Sequence, residues 1–482
     1  MDATQIQTKQ LTKAKTGISG LDEITHGGLA AGRPTLVCGG PGSGKTLLGI
    51  AFLVKGATEF GEPGVLMSFE ENAEELAQDV ASFGYDLAGI IDEKQLVVDY
   101  VHIDRSEIET TGEFDLEGLF VRLQHAVTSI GAKRVVLDTL ESLFSGFEDE
   151  AILRAEMRRL FRWLRDRNLT AVITGEKGEN TLTRYGLEEY VSDAVIQLDH
   201  RVYEQISTRR LRVVKYRGSH HGTNEYPFLI DEGGLSVLPI TSLTLEHPAS
   251  AERVSSGLPR LDDMLDGRGY YRGSTILLSG TAGTGKTTIA ASFVDAACRR
   301  GERAVYFLFE ESPAQMLRNM RSCGIDLAPW VEKGLLHFHA DRPSRFGLET
   351  HLLMMHRAVE EIRPTIAVID PITNLMSVGT RLDVRGMLTR TIDYLKLQNI
   401  TALFTSLIGT HEPDISDPLI SSLMDTWILM SMEESERRRR RSIYVLKARG
   451  IAHSDEIREF RIGNSGVDIL SGVATTTEAA RW

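Results

Sequence analysis

Cysteine is scarce in this chain: three among 482 residues, Cys38, Cys298 and Cys323, in no metal-ligand spacing. An odd, scattered set excludes a disulfide framework and reads as free thiols in a reducing compartment. Long apolar runs are missing as well, none approaching the roughly 18 to 20 residues that span a bilayer. The polar opening MDATQIQTKQLTKAKTG does not read as a secretory leader, and none is expected. Positive charge is outweighed, with 54 Lys and Arg against 67 Asp and Glu, a formal net charge of -13 and a pI near 5.6. Such a balance gives duplex nucleic acid or anionic lipid no general electrostatic footprint. The absences together predict a cytoplasmic protein with neither a membrane nor a nucleic-acid partner. What remains is ordinary globular composition, 42% hydrophobic and 25% charged, in a chain too long for one core.

The chain is a duplication. TGISGLDEITHGGLAAGRPTLVCGGPGSGKT from Thr16 returns as SSGLPRLDDMLDGRGYYRGSTILLSGTAGTGKT from Ser255, and VLMSFEEN returns as VYFLFEES, at offsets of 240 or 241. RVVLDTLESL returns as IAVIDPITNL and KYRGSHH as KARGIAH, both at offset 232. Four ordered matches at a nearly fixed spacing mark an internal repeat. The expected divisions are an N-terminal tail 1–16, a first domain 17–240, a linker 241–253, a second domain 254–470 and a short tail 471–482. Within each half, short β-branched runs such as RVVLD and TAVITGE alternate with helical patterns such as ILRAEMRRLFRWLRDRN. That alternation predicts an α/β fold, a mainly parallel sheet flanked by helices on both faces.

GGPGSGKT and GTAGTGKT each fit G-x-x-x-x-G-K-[ST] between a hydrophobic strand and a helical stretch. Glycine lets the backbone curl until its N–H groups face phosphate oxygens, and the helix start adds a favourable dipole. The expected nucleotide contacts are Gly40, Gly42, Ser43, Gly44, Lys45, Thr46 and Leu47, then Thr281, Gly283, Thr284, Gly285, Lys286, Thr287 and Thr288. Lys45 and Lys286 reach the β/γ-phosphates in this reading, and Thr46 and Thr287 hold Mg²⁺. Asp138 and Asp370 end hydrophobic strands, where a carboxylate sits behind Mg²⁺. Glu70-Glu71 and Glu310-Glu311 are expected at the end of the next strand, where one carboxylate of each pair faces the γ-phosphate as a base. Glu70 and Glu310 are the favoured members, Glu310 also toward the metal. The repeated K-x-R-G-x-x-H supplies Lys215, Arg217 and His221, then Lys447, Arg449 and His453, cations suited to γ-phosphate charge when offered by a neighbouring subunit.

Taken together, these residues resemble the KaiC family of tandem RecA-like P-loop ATPases, from about Gly17 to Asp468. The resemblance also rests on SGLDE, SFGYDL, RYGLEEYVSDAVI, NEYPF, ITALFT and the EIREF that follows KARG. It implies a homohexameric double ring binding ATP and Mg²⁺ between subunits. The first domain would be a slow ATPase with Glu70 activating water. The second would be a serine autokinase and autophosphatase, with Glu310 activating an acceptor hydroxyl across the interface. The family's Ser-Thr acceptors fall on Ser421 and Ser422, and a nearby threonine falls on Ser416. TTGEFDLEGL, residues 110–119, resembles the segment near which the partner KaiB docks. The tail is far shorter than the one that recruits KaiA, so KaiA is not expected.

The repeat supplies an internal control on the serines. At offset 232 Ser421 corresponds to Glu189, Ser422 to Tyr190 and Ser416 to Arg184. The first copy thus places a permanent carboxylate where the second offers a hydroxyl, and a phosphoserine adds roughly -1.5 to -2 charge. The bland alternative, serines as turn-to-strand linkers, stays open on the residues alone. Two other functions are set beside this one: a RecA- or DnaB-like motor on nucleic acid, and a scaffold that binds nucleotide without turnover. The acidic run paired with basic residues, EESERRRRRS, reads as a solvated hairpin.

Overall fold

The computed structural model describes residues 11–101, 117–139, 141–142, 150–178, 181–184, 193–203, 206–239, 249–408, 422–435 and 438–473. The chain separates into two compact units, Met1–Ser242 and Leu243–Trp482.

Each unit is built on one nine-stranded sheet. In the first, the order across the sheet is Gly234–Val237, Glu225–Asp231, Ile206–Tyr216, Ala194–Tyr203, Pro34–Gly39, Thr170–Glu176, Arg134–Asp138, Gly64–Ser68 and Leu96–Tyr100. The strands from Ala194–Tyr203 to Leu96–Tyr100 run parallel, and the other three add antiparallel hairpins on one edge. The second sheet repeats the order: Leu336–Ala340, Ala304–Leu308, Ile366–Asp370, Thr401–Leu407, Thr275–Gly280, Thr426–Ser435, Arg438–Ala448, Arg458–Gly463 and Gly466–Val473.

Successive strand side chains leave a sheet on opposite faces. In the first unit this sends Val37, Leu66, Val136, Val172 and Ile196 into one core, with the helix Lys45–Phe60. Leu36, Cys38, Val65, Val135, Leu137, Ile173 and Val195 enter a second core, with Leu160, Phe161 and Leu164 of the helix Glu150–Asp166. A sheet covered on both faces needs near-continuous apolar strands, which is why RVVLD is buried at every position.

Ordered structure begins before residue 17, because Lys13–Ala14 pairs with Leu29–Ala30. The last strand runs to Val473, three residues into the segment read from sequence as a tail.

Two phosphate cradles and the family they define

Both cradles sit at the carboxyl end of their central strand. Gly44 and Gly285 cap the helices Lys45–Phe60 and Lys286–Arg299 in the left-handed region, at φ 94° and 103°. A Cβ on either would also lie 2.7 or 2.4 Å from the Cδ1 of Ile230 or Ile462. Only glycine fits there. Lys45 Nζ donates to the carbonyls of Gly39 and Gly40 at 3.0 and 3.1 Å, and Lys286 Nζ to Gly280 and Thr281 at 2.9 Å each. Each ammonium is thus held over its own loop. Burial pushes the Lys286 ammonium below its ordinary range, against the pull of Asp370 and Glu310.

Asp138 and Asp370 stand on the strand beyond the neighbour of each cradle strand. Thr174 Oγ1 donates to Asp138 Oδ1 and Thr405 Oγ1 to Asp370 Oδ1. Burial raises the Asp138 carboxyl, while hydrogen bonds from Thr174 and Thr46 oppose that rise. Thr46 and Asp138 therefore touch under the first cradle. A hydroxyl beside a carboxylate is a hard oxygen set, of the kind that holds Mg²⁺ directly or through water. The peptide bonds after Asp138 and Asp370 are both cis.

The glutamate pairs lie beyond their strands, not on them: the strands end at Ser68 and Leu308, Glu70, Glu310 and Glu311 occupy the bends that follow, and Glu71 comes just after the first bend. Strand alternation therefore does not sort their members; the bend does. Glu70 Oε1 accepts from Thr139 Oγ1 at 2.6 Å and from Ser142 Oγ at 3.2 Å, one residue past the buried aspartate. In the second unit Glu310 lines a cleft of about 530 Å³ with Gly283, Gly285, Lys286, Thr287, Thr288 and Asp370. Glu311 is absent from that cleft; it lines, together with Glu310, a neighbouring hollow and accepts from Asn319 Nδ2 at 3.1 Å. Burial, then the charges of Asp79 and Asp138, raise the Glu71 carboxyl.

The K-x-R-G clusters lie at the other end of each sheet. Tyr216 pairs with Ala194, which pairs with Thr35 at the start of the cradle strand, and the Arg217 N–H donates to Asp193 O at 2.9 Å. Lys215 pairs with Val195 and so lies level with Leu36, three residues or about 10 Å along the strand from Gly39, and Arg217 follows Tyr216, which lies level with Thr35, about 13 Å from Gly39 at about 3.3 Å per residue. The second unit repeats this: Ala448 pairs with Thr426, which pairs with Ile276. Lys447 Nζ donates to Met424 O, and an Arg449 guanidinium N–H donates to Ser422 O, both at 2.8 Å. Burial, then the Arg449 charge, lower the Lys447 ammonium. Burial works against the Asp425 charge, yet hydrogen bonds from Lys396 and Thr275 hold its carboxyl below the usual range. His221 and His453 turn their Nδ1 to the carbonyls of Ser219 and Ile451, at 3.4 and 3.3 Å. Ser422 is therefore tied beside the cation cluster. Ser421, Ser416, Glu189, Tyr190 and residues 110–116 lie outside the described residues.

Two side chains not singled out in the sequence also reach the second cleft, Arg441 and Cys323. Arg441 Nε donates to Gly283 O at 3.2 Å, so the arginine hairpin is not simply solvated; one residue of it touches the cradle. The repeat held the signal: Arg441 pairs with Met432 as Arg209 pairs with His200, at offset 232. Among the described residues, Arg209 Nε and Ser43 Oγ are buried without a hydrogen-bond partner. Orphaned donors at and beside a phosphate cradle suit an anionic ligand. No group of three or more His, Cys, Asp or Glu among the described residues gathers as a metal cluster, and none of their helices is long and apolar enough to cross a membrane.

A family model described as "ATPase: KaiC" matches residues 14–242 and again 254–473. The chain belongs to the KaiC family. It is 53% identical over 467 residues to "Circadian clock protein KaiC2" of Synechocystis sp., covering 96% of this chain and 82% of that protein. It is 38% identical over 465 residues to "Circadian clock oscillator protein KaiC" of Synechococcus elongatus, covering 95% and 89%. The two sheets are accordingly the tandem RecA-like P-loop domains of a KaiC ATPase, an ATP-binding regulator by its relatives.

Proposed function

We propose that the chain is an ATP-driven timing or signalling component in which the two domains divide hydrolysis from self-phosphorylation. In the first, Glu70 draws a proton from water as it attacks the γ-phosphorus. In the second, the Ser421 or Ser422 oxygen attacks the γ-phosphorus, the bond to the β–γ bridging oxygen breaks, ADP leaves and the serine proton passes to Glu310. Thr46 and Thr287, with Asp138 and Asp370 behind them, are the residues that would hold Mg²⁺, which when bound neutralises phosphate charge. Lys215, Arg217 and His221, with Lys447, Arg449 and His453, serve the γ-phosphate of the adjoining protomer in a homohexameric double ring. A KaiB-like protein is the expected partner of the first domain, and the setting is the cytoplasm.

The observation that carries this reading is the tether of Ser422 to Arg449 at the end of the sheet away from Lys286. An acceptor so placed is out of reach of its own ATP and is presented to another. Incubation with ATP followed by phosphosite mass spectrometry on the sized oligomer tests it. Label on Ser421 and Ser422, lost in the Ser421→Ala/Ser422→Ala variant, is expected; full labelling of that variant would overturn the assignment.

A further inference from the structure

Both buried aspartates accept from a threonine of the neighbouring strand, and the second has a further buried donor, from one residue, that the first lacks. Tyr306 and Leu66 are the third residues of matching strands, Ala304–Leu308 and Gly64–Ser68. They pair in register with the third residues of the two aspartate strands, Val368 and Val136. Leu66 offers its aspartate only methyl groups. Tyr306 is fully buried, and its hydroxyl donates to Asp370 Oδ2 at 2.8 Å. Since Thr405 donates to Oδ1, each carboxylate oxygen of Asp370 is clamped by a separate buried hydroxyl. The Tyr306 ring is fixed in turn against Phe338, centroids 5.9 Å apart. A carboxylate bonded through both oxygens has lost its freedom to rotate, and groups that hold a metal-associated carboxylate in this way set how well it serves.

We infer that Tyr306 is a positioning residue of the second nucleotide site, locking the Asp370 carboxylate where it lines the cleft beside Thr287, a support the first site does without. The inference rests on the proposed role of Asp370 behind Mg²⁺·ATP. It deepens the division of labour, because transfer to a serine from another protomer needs a γ-phosphate held still while the acceptor docks. Attack by water, which is always present, also needs alignment but does not wait for an acceptor to dock.

The test is equilibrium binding of a fluorescent ATP analogue to the full chain, with Mg²⁺ and in EDTA, in a Lys45→Ala background that silences the first cradle. Tyr306→Phe keeps the ring and removes the donor; Tyr306→Leu installs the residue of the first domain. Both are expected to lose about 10- to 100-fold of Mg²⁺-supported affinity while affinity in EDTA is unchanged. Equal losses with and without Mg²⁺ would mean that the hydroxyl only packs, and Mg²⁺-supported affinity within twofold of the parent would mean that it does nothing; either overturns the inference. Asp370→Asn separates the two levels. If it abolishes the Mg²⁺ effect and the Tyr306 variants do not, the inference fails alone; if it has no effect, the metal reading fails and takes the inference with it.

Discussion

The Arg449 guanidinium holds the carbonyl of Ser422 at 2.8 Å, and the Arg449 backbone N–H holds that of Asp425 at the same distance. Residues 422–425 and the cation cluster are therefore one mechanical unit, so under the proposed function a phosphate added at Ser422 would arrive beside Arg449. Mixing two inactive variants tests this placement. Glu310→Gln keeps acceptors but lacks the base; Ser421→Ala/Ser422→Ala keeps the base but lacks acceptors. Phosphate is expected only after co-assembly, and only on the Glu310→Gln chain, as read by intact-mass spectrometry; transfer within one chain would leave the mixture unlabelled.

Glu70→Gln removes a proton acceptor that Thr139 and Ser142 orient. ATP hydrolysis is expected to fall by about 10²-fold or more, while phosphate incorporation on serine continues. Phosphate release and incorporation measured on one sample check both halves, and parallel loss of the two would contradict the division.

The three thiols differ sharply in exposure. Cys38 and Cys298 are buried, and burial pushes the Cys298 thiol up to about 12, whereas Cys323 is half-exposed in the second cleft. Thiolate fraction and access control alkylation. Cys323 is expected to react first with iodoacetamide, and bound ATP to slow it at least about tenfold, read by peptide mapping. Equal labelling with and without nucleotide would place the ligand elsewhere.

Lys13 sits 3.7 Å over the Tyr216 ring, donates to Thr25 O and Ser219 Oγ, and is lowered by burial from 10.5 to about 8. Because the folded value is below the unfolded one, the protonated ammonium opposes folding below about pH 8, and stability rises as the pH climbs from there toward 10.5. Denaturant melts across that window should show the parent gaining on Lys13→Met. Acylation of Lys13 should rise around pH 8, ahead of ordinary lysines. A flat difference between parent and variant would remove Lys13 from the pH response.

Much of the site was legible because it is backbone-borne. A cradle needs glycine where a Cβ would strike Ile230 or Ile462, and that need is written in the motif. Asp138 and Asp370 were equally visible at the ends of apolar strands. The sequence suggests strand ends for the glutamate pairs because VLMSFEE and VYFLFEE continue an apolar run; the sheet in fact stops at Ser68 and Leu308, with one phenylalanine between strand and pair. Arg441 and Tyr306 leave no local signal because their contacts arise from pairing between strands distant in sequence, and Cys323 because it reaches the cleft from the end of a helix. Tyr306 sits in a run where any large apolar residue would satisfy the period, so its hydroxyl leaves no mark on the pattern.

The two ends of each sheet have a consequence for counting. Under the proposed assembly each domain, with its cradle at one end of its sheet and its cation cluster at the other, carries half of each of two different sites and cannot join them by folding back on itself. A head-to-tail row then ends in one unattended phosphate loop and one idle cluster of cations, and only meeting of the ends removes both. A row of any length thus lacks, for each of the two domains, one working site that the closed circle has, so closure itself switches on the last unit.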